Sequence, residues 1–225
     1  MNEIHPTAII GKNVIMGTGN KILPYTIIEG PCEIGNNNII GPHAIVGCPP
    51  TDTKFVDMGL KNPKVKIGDN NIIREFSVVE QPCYEEQTVI EDNVFIMQGV
   101  NVSHDVYVKK NAVLTKASAL AGIVKILDGA NVAMASAIVQ YMVIGHYSIV
   151  GANATCMKNV KPFSRYIPNK PLSVNYYAVK KFGFEPYMAE IESYVLNDIM
   201  PKSDKLQEII REFDFWVHKY KKSTY

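Results

Sequence analysis

An aliphatic residue recurs at every sixth position along most of the chain. The longest series begins at Ile90, and eleven of its twelve members are branched aliphatics: Ile90, Ile96, Val102, Val108, Leu114, Leu120, Ile126, Val132, Ile138, Ile144, Val150 and Cys156. Neither the 3.6-residue period of an α-helix nor the two-residue period of a strand produces this spacing. A fixed short repeat predicts a β-solenoid in which each hexad is a short strand followed by a turn.

Two shorter series with the same spacing precede the long one. Eight members run from Ile4 to Val46, and three run from Ile67 to Val79. Asparagine, aspartate or glycine recurs three places after the aliphatic position, as at Asn37. These residue types tolerate the left-handed conformation that a tight corner requires. We therefore expect the aliphatic side chains inside the coil and the permissive residues at its corners.

Two excursions are expected to leave the solenoid wall where the series break. The first interval, from Val46 to Ile67, is 21 residues, and the second, from Val79 to Ile90, is 11 residues. Neither number is a multiple of six, so extra chain must leave the wall and return to it. The pattern thus predicts loops at about residues 48–65 and 80–89.

A helical pattern replaces the hexads after Cys156. Ser173 is expected to cap a short helix that Gly183 ends. Pro186 is expected to open a second helix, because proline suits the first helical turn.

The last part of the chain predicts a third, amphipathic helix. Asp204 and Gln207 resemble a capping box. The apolar residues that follow recur at helical spacing: Leu206, Ile209, Ile210, Phe213, Val217 and Tyr220. We expect this segment to pack across the solenoid end or against a neighbouring subunit. The interpretation divides the chain into a β-helix domain at 1–165 and a C-terminal helical region at 166–225.

Charge and composition exclude several classes of function. A formal net charge of +1 gives no electrostatic basis for binding nucleic acid or an anionic membrane. No run of about 18 apolar residues is present and the N-terminus lacks a signal peptide, so we expect no membrane span and a cytoplasmic location. The four cysteines lack CxxC spacing and the five histidines form no ligand pair, so no metal site is expected.

Several stretches carry a resemblance to a known family. They lie at residues 4–9, 67–75, 102–105, 120–122, 174–175 and 180–184. With the hexads and the two excursions, they resemble the left-handed β-helix acyltransferases, in particular the UDP-N-acetylglucosamine O-acyltransferases of lipid A biosynthesis. The resemblance implies a mainly β fold, a left-handed parallel β-helix with a C-terminal α-helical segment. It also implies a homotrimer with active sites in the grooves between solenoids.

The same resemblance implies the substrates. A nucleotide-activated amino sugar accepts an acyl group from a thioester on acyl carrier protein or coenzyme A. The phosphopantetheine arm belongs to the donor, so no further cofactor is implied.

The resemblance assigns the chemistry to three residues. His104 matches the general base, Asp105 supports its imidazole, and the backbone N–H of Gly122 faces the developing oxyanion. His104 comes two places after the inward Val102 and should lie on the outer wall. From the residues alone, simpler explanations remain open: a solvated histidine, an aspartate that suits a turn, and a glycine that relieves a tight coil.

Substrate-binding positions are implied in the same way. They comprise a loop pair that contacts the sugar, two groove-lining positions, and a helix that holds the nucleotide diphosphate: Asp52 and Lys54; Asn101 and Gln140; Asn175, Lys180 and Lys181. Ala152 matches the small residue that limits acyl-chain depth. A solvated loop and a basic helix face would contain the same residue types.

Three departures from the family pattern leave other functions open. Asn101, Ile123 and Val139 stand where the family usually carries histidine. One alternative is an N-acyltransferase that acts on a nucleotide-linked deoxyamino sugar for O-antigen or capsule, because an amine is the better nucleophile. Another is a non-catalytic solenoid that binds a sugar nucleotide. A zinc carbonic anhydrase would need three histidines from facing coils, and the sequence does not offer them.

Overall fold

The hexads form three walls of a parallel β-helix. The computed structural model describes residues 1–52 and 60–225. Strands of successive coils pair in parallel with an offset of 18 residues where no excursion intervenes, as between Ile4 and Ile22. Each coil therefore uses three hexads, one for each wall.

The walls are continuous sheets of short strands. The first wall contains β1 Glu3–Ile4, β4 Lys21–Ile22, β7 Ile39–Ile40, β10 Ile72–Ile73, β13 Phe95–Ile96, β16 Val113–Leu114, β19 Asn131–Val132, β22 Ile149–Val150, β24 Ser164–Tyr166 and the antiparallel β25 Ser173–Val174. The second contains β2 Ile9–Ile10, β5 Ile27–Ile28, β8 Ile45–Cys48, β11 Val78–Glu80, β14 Asn101–Val102, β17 Ala119–Leu120, β20 Ala137–Ile138 and β23 Thr155–Cys156. The third contains β3 Val14–Met16, β6 Cys32–Ile34, β9 Lys64–Ile67, β12 Gln87–Ile90, β15 Tyr107–Val108, β18 Lys125–Ile126 and β21 Val143–Ile144.

The predicted inward positions form the core of the β-helix. Every hexad aliphatic from Ile22 to Cys156 is buried, with at most 4% of its surface exposed. Burial of one such side chain contributes about 1.5–3 kcal/mol. Ile4 was expected inside but is 46% exposed, because it lies on the first coil and has no coil beneath it.

The corners adopt the left-handed conformation that the sequence pattern predicts. Asn37, Asn93 and Asn153 have φ values of 55–57°. Bulky residues occupy equivalent corners, as at Tyr25 (φ 59°) and Ile123 (φ 66°). Such residues pay about 1–2 kcal/mol for this conformation, so coil geometry rather than local preference decides the backbone there.

An asparagine ladder runs along the corner between the third and first walls. The Oδ1 of Asn20 accepts the backbone N–H of Asn38 at 2.9 Å, and the Oδ1 of Asn38 accepts that of Asn71 at 2.8 Å. The Oδ1 of Asn71 accepts the N–H of Val94 at 2.7 Å. These buried amides satisfy backbone donors that would otherwise lack partners.

Three helices follow the last coil: α1 Tyr176–Lys181, α2 Met188–Asn197 after a 3₁₀ turn at Glu185–Tyr187, and α3 Asp204–Tyr220. The expected cap at Ser173 is wrong, because Ser173 lies in β25 and Asn175 accepts the N–H of Ala178. The expected capping box of α3 is also wrong. Ser203 precedes this helix, and its hydroxyl donates to Glu190 instead. None of the described helices is long and apolar enough to cross a lipid bilayer.

The helix α3 covers the outer face of the third wall. Phe213, Trp216 and Tyr220 pack against Leu127 and Val143 of that wall. The helix therefore lies along the side of the β-helix, and the expectation that it packs across the end is wrong. Strand β24 straddles the proposed boundary between residues 165 and 166, so the division into two domains stays a prediction.

Candidate active site

His104 and Asp105 form a hydrogen-bonded pair at the corner that follows β14. The Nδ1 of His104 lies 2.7 Å from Oδ2 of Asp105. A carboxylate partner at Nδ1 favours the tautomer that carries its proton there, which leaves the Nε2 lone pair as the basic atom. The hydrogen bond to Asp105 raises the pKa of His104, against the opposing effect of burial. The pair can therefore take up a proton at Nε2 and hold it.

The backbone of the second excursion fixes the Asp105 carboxylate. Its Oδ1 accepts the N–H groups of Cys83 at 3.0 Å, Tyr84 at 3.1 Å and Glu85 at 2.8 Å. Burial alone would raise the pKa of Asp105, but the bond to His104 and the backbone donors lower it below its usual value. The carboxylate thus stays ionised and oriented beside the imidazole.

The imidazole lies outside the hydrophobic core but is not solvated. Its ring is absent from the core cluster, and His104 is only 5% exposed. Tyr84 covers it with a ring centroid 5.7 Å away, and the buried Glu80 accepts the backbone N–H of His104 at 3.1 Å. The expected outer-wall position therefore carries a roof formed by the second excursion. The simpler explanation of an exposed, solvated histidine does not apply.

Gly122 lies on the next coil and touches the imidazole. A Cβ built on Gly122 would come within 2.6 Å of Nε2 and 2.9 Å of Nδ1 of His104. The left-handed residue of this corner is Ile123, whose N–H donates to the His104 carbonyl at 3.0 Å. Glycine is thus required at position 122 for space beside the ring.

The first excursion is tied to the second. The Tyr84 hydroxyl donates to Asp52 at 2.7 Å, and this bond raises the pKa of Tyr84 to about 12. Thr51 donates its N–H and its hydroxyl to Glu80 at 3.2 and 2.8 Å. Asp52 is therefore held close to the residues that cover the imidazole. Lys54, the other expected loop residue, lies outside the described part of the chain.

Gln140 and Asn101 lie on the same part of the β-helix as the histidine. His104, Gly122 and Gln140 are 18 residues apart and follow the paired strands β14, β17 and β20, so they occupy one corner on three successive coils. Asn101 lies in β14 and donates its side-chain N–H to the Ser103 hydroxyl at 2.9 Å. The structure brings these residues together as the resemblance implies, and their roles stay predictions.

Ala152 and the nucleotide-binding candidates lie elsewhere on the single chain. Ala152 is exposed at the corner between the first and second walls, whereas His104 lies between the second and third. Asn175 precedes α1 next to the first wall, and Lys180 and Lys181 are exposed on that helix. One chain therefore does not unite all the expected residues around the imidazole.

The side chain of Asn175 is fully engaged within the fold. Its Oδ1 accepts the N–H of Ala178 at 3.4 Å, and its Nδ2 donates to the carbonyl of Tyr147 at 2.9 Å. The Nζ of Lys181 lies 5.2 Å from the centroid of the Phe182 ring. A cavity of about 370 Å³ beside α1 is lined by Asn175, Lys181 and Arg165, among others. Asn175 holds the helix, while the basic side chains face this cavity.

Two arrangements of charged residues had no counterpart in the sequence-based interpretation. Lys125 is almost completely buried and contacts Glu85 next to the site. Asp128, His146 and Glu212 place possible metal-ligand atoms within 4.8 Å of one another. The ammonium group of Lys109 already contacts Glu212 at 2.8 Å, so a cation occupies this cluster. Both depend on α3 covering the third wall, and no local pattern signals that contact.

The coiled hexads and the His104–Asp105 corner define a transferase of the hexapeptide-repeat class. The model of the bacterial transferase hexapeptide family (six repeats) matches residues 13–48. An acyl-[acyl-carrier-protein]–UDP-N-acetylglucosamine O-acyltransferase of Paraburkholderia phymatum is 33% identical over 206 residues, which cover 82% of this chain and 78% of the relative. The chain belongs to the UDP-N-acetylglucosamine O-acyltransferase family.

Other relatives share a smaller part of their length with this chain. The enzyme of the same name from Thermodesulfovibrio yellowstonii is 35% identical over 148 residues, 57% of this chain and 56% of the relative. This chain thus spans little more than half the length of several curated relatives. The solved UDP-N-acetylglucosamine acyltransferase of Francisella novicida matches 99% of this chain and 91% of its own, with a TM-score of 0.83 and 25% identity. The predicted left-handed parallel β-helix is confirmed.

Proposed function

We propose that this protein is an acyltransferase. It moves an acyl group from a thioester on acyl carrier protein, or on coenzyme A, to a nucleotide-activated amino sugar of the UDP-N-acetylglucosamine type. The observation that carries the proposal is the oriented His104–Asp105 pair packed directly against Gly122. The proposed setting is the cytoplasm, where the product enters lipid A or surface-glycan biosynthesis.

The proposed reaction has two steps. The Nε2 of His104 removes the proton from the acceptor hydroxyl as its oxygen attacks the thioester carbonyl. The carbonyl oxygen becomes an oxyanion, which the backbone N–H of Gly122 stabilises. The tetrahedral intermediate collapses, the C–S bond breaks, and the imidazolium returns its proton to the departing thiolate. Asp105 stays ionised and stabilises the imidazolium.

Substrate contacts are proposed for the surrounding positions. Asp52 and Lys54 position the sugar, and Asn101 and Gln140 line the groove beside His104. Lys180 and Lys181 hold the diphosphate as point charges, while Asn175 keeps the start of α1 in place. Ala152 sets the acyl-chain depth. These groups lie on different walls, which supports the proposal that a homotrimer assembles each site from two chains.

An N-acyltransferase is the second candidate. Ile123 is buried beside the imidazole where the family usually carries histidine, so the site offers fewer polar groups around the acceptor. An unprotonated amine attacks a thioester with less help from a base. The acceptor would then be a nucleotide-linked deoxyamino sugar for O-antigen or capsule. A non-catalytic sugar-nucleotide-binding solenoid is the third reading.

The test is acyl transfer by the purified chain and by His104→Ala. Acyl carrier protein and coenzyme A thioesters of several lengths are combined with UDP-N-acetylglucosamine and UDP-deoxyamino sugars, and products are identified by mass spectrometry. We expect His104→Ala to lose at least about 100-fold in turnover on a hydroxyl acceptor. His218→Ala, an exposed histidine on α3, is the matched control and should retain activity.

The outcomes separate the candidates. Transfer only to an amine, with His104→Ala retaining most of it, would favour the N-acyltransferase. No transfer with any pair, together with tight binding of a sugar nucleotide, would favour the non-catalytic solenoid. Equal turnover of His104→Ala and the unmodified protein on a hydroxyl would remove His104 from the mechanism.

A further inference from the structure

Lys125 is buried at a position where the pattern of the β-helix expects an outward side chain. It lies in β18 next to the inward Ile126, and only 2% of its side chain is exposed. The helix α3 covers it, and its ammonium lies 5.3 Å from the centroid of the Trp216 ring and 5.8 Å from that of Tyr220. A buried ammonium needs full compensation by charge and hydrogen bonds, so its partners indicate what it does.

The ammonium of Lys125 reaches both parts of the corner that supports the histidine. It donates to the Glu85 carboxylate at 2.9 Å and to the backbone carbonyl of Asp105 at 2.9 Å. The backbone N–H of Glu85 donates to the Asp105 carboxylate at 2.8 Å. Lys125 and Glu85 therefore hold Asp105 at both its main chain and its side chain.

The carboxylate of Glu85 also ties this corner to α3. Its Oε1 accepts the ammonium of Lys219 at 3.0 Å and the hydroxyl of Tyr220 at 3.1 Å. The contacts of Lys125 and Lys219 lower the pKa of Glu85, although burial alone would raise it. One carboxylate thus links the C-terminal helix, the third wall and the excursion that covers His104.

We propose that the Lys125–Glu85 pair is a positioning device that holds the Asp105–His104 pair in its working geometry and makes α3 part of the support of the active site. This inference rests on the proposed function for its kinetic consequence, and on the geometry alone for the state of the imidazole. A buried ion pair is often no more stabilising than apolar residues of the same shape. Its geometric role is therefore the reason for this pair that can be tested.

The test compares Glu85→Gln and Lys125→Met with Lys109→Met. Lys109 is the matched control because its half-buried ammonium ties α3 to the β-helix through Glu212, without contacting Asp105 or Glu85. The pKa of His104 is read from the pH dependence of its imidazole NMR signals in the substrate-free protein. The charged and polar groups that face this imidazole are Asp105, Glu80, Asp52 and Tyr84, and all four are unchanged in these variants.

We expect both site variants to lower the pKa of His104 towards the ordinary value of about 6.5. We also expect their kcat to fall by about tenfold or more with little change in KM for the acyl donor. Lys109→Met should leave the imidazole titration unchanged even if its melting temperature falls as far. Overlapping His104 titrations in all three variants, with losses only in melting temperature, would overturn the proposal.

The NMR readout keeps this inference separate from the proposed function. If the unmodified protein transfers no acyl group, the proposed function fails, while the His104 titrations still decide whether the pair positions Asp105. If transfer occurs and the titrations of the variants do not differ from those of the unmodified protein, the positioning role fails while the proposed function stands.

Discussion

Gly122 and His104 share a space that holds only one side chain. The imidazole fills the volume above the Gly122 backbone, and a Cβ there would lie 2.6 Å from the ring Nε2. Nonbonded carbon and nitrogen atoms do not approach so closely, so position 122 is glycine because of the ring. The two residues come from successive coils, and their contact brings the proposed base next to the proposed oxyanion donor.

Gly122→Ala should displace the imidazole and reduce transfer by about 100-fold or more, since misplacement by 1 Å is enough for such a loss. Overpacking should lower the free energy of unfolding by about 1–3 kcal/mol. Turnover and urea denaturation measure the two effects. Gly99→Ala is the control, because Gly99 has a left-handed φ of 66° but open space around its Cα. Equal turnover in the two variants would contradict the steric argument.

The pH dependence of kcat/KM should reflect the raised pKa of His104. The base must be neutral, so the rate should rise with pH through an apparent pKa above 6.5. Asp105→Asn should move this limb down towards 6.5 and lower the plateau by about 10²–10³-fold. An acid limb at the same pH in both proteins would show that Asp105 does not set the pKa.

The same shift predicts a pH-dependent contribution to stability. Because the folded pKa of His104 is raised, the pair stabilises the fold fully below the unfolded pKa of about 6.5 and loses this contribution as the pH rises through the folded value.

Glu212 should contribute stability that disappears in acid. Hydrogen bonds from His146 and Lys109 hold its pKa at about 2, against the opposing effect of burial. A lowered carboxylate pKa stabilises the fold above the unfolded value and loses this effect as the pH falls through the folded value. Because about a third of the side chain is exposed and water screens it, we expect Glu212→Gln to lower the free energy of unfolding by only about 1 kcal/mol at pH 7.

Urea denaturation at pH 7 and pH 3 measures this loss, which should shrink at the lower pH. Glu208→Gln is the control, one turn earlier on the exposed side of α3. A loss in Glu208→Gln as large as that in Glu212→Gln would show that the charge of the helix, rather than the contacts of Glu212, is responsible.

Adjacent residues of one strand and its corner should differ sharply in their contribution to stability. Ile138 is 1% exposed and Val139 is 37% exposed. Ile138→Ala should therefore lower the free energy of unfolding by about 2–5 kcal/mol, and Val139→Ala by less than about 1 kcal/mol. Equal losses in denaturation would show that the six-residue period does not mark the core.

The sequence by itself determined the β-helix and its coils. A period of six leaves one residue in each hexad facing inward, and burial of a branched aliphatic there is local to the coil. The prediction held from Ile22 to Cys156 and was wrong only where the first coil is open, at Ile4. The 18-residue coil also follows from this period, so the alignment of His104, Gly122 and Gln140 on one corner could be predicted.

Only the tertiary structure decided what covers the walls and supports the site. Ser173 and Ser203 were candidate caps by local chemistry, but strand pairing takes the first and Glu190 takes the hydroxyl of the second. Lys125 had the pattern of an exposed strand residue and became buried because α3 packs over it. Hexad burial is repeated locally along the chain, whereas these contacts join segments up to 135 residues apart, as between Glu85 and Tyr220. No local spacing encodes such a contact, so it appears only when the chain is folded.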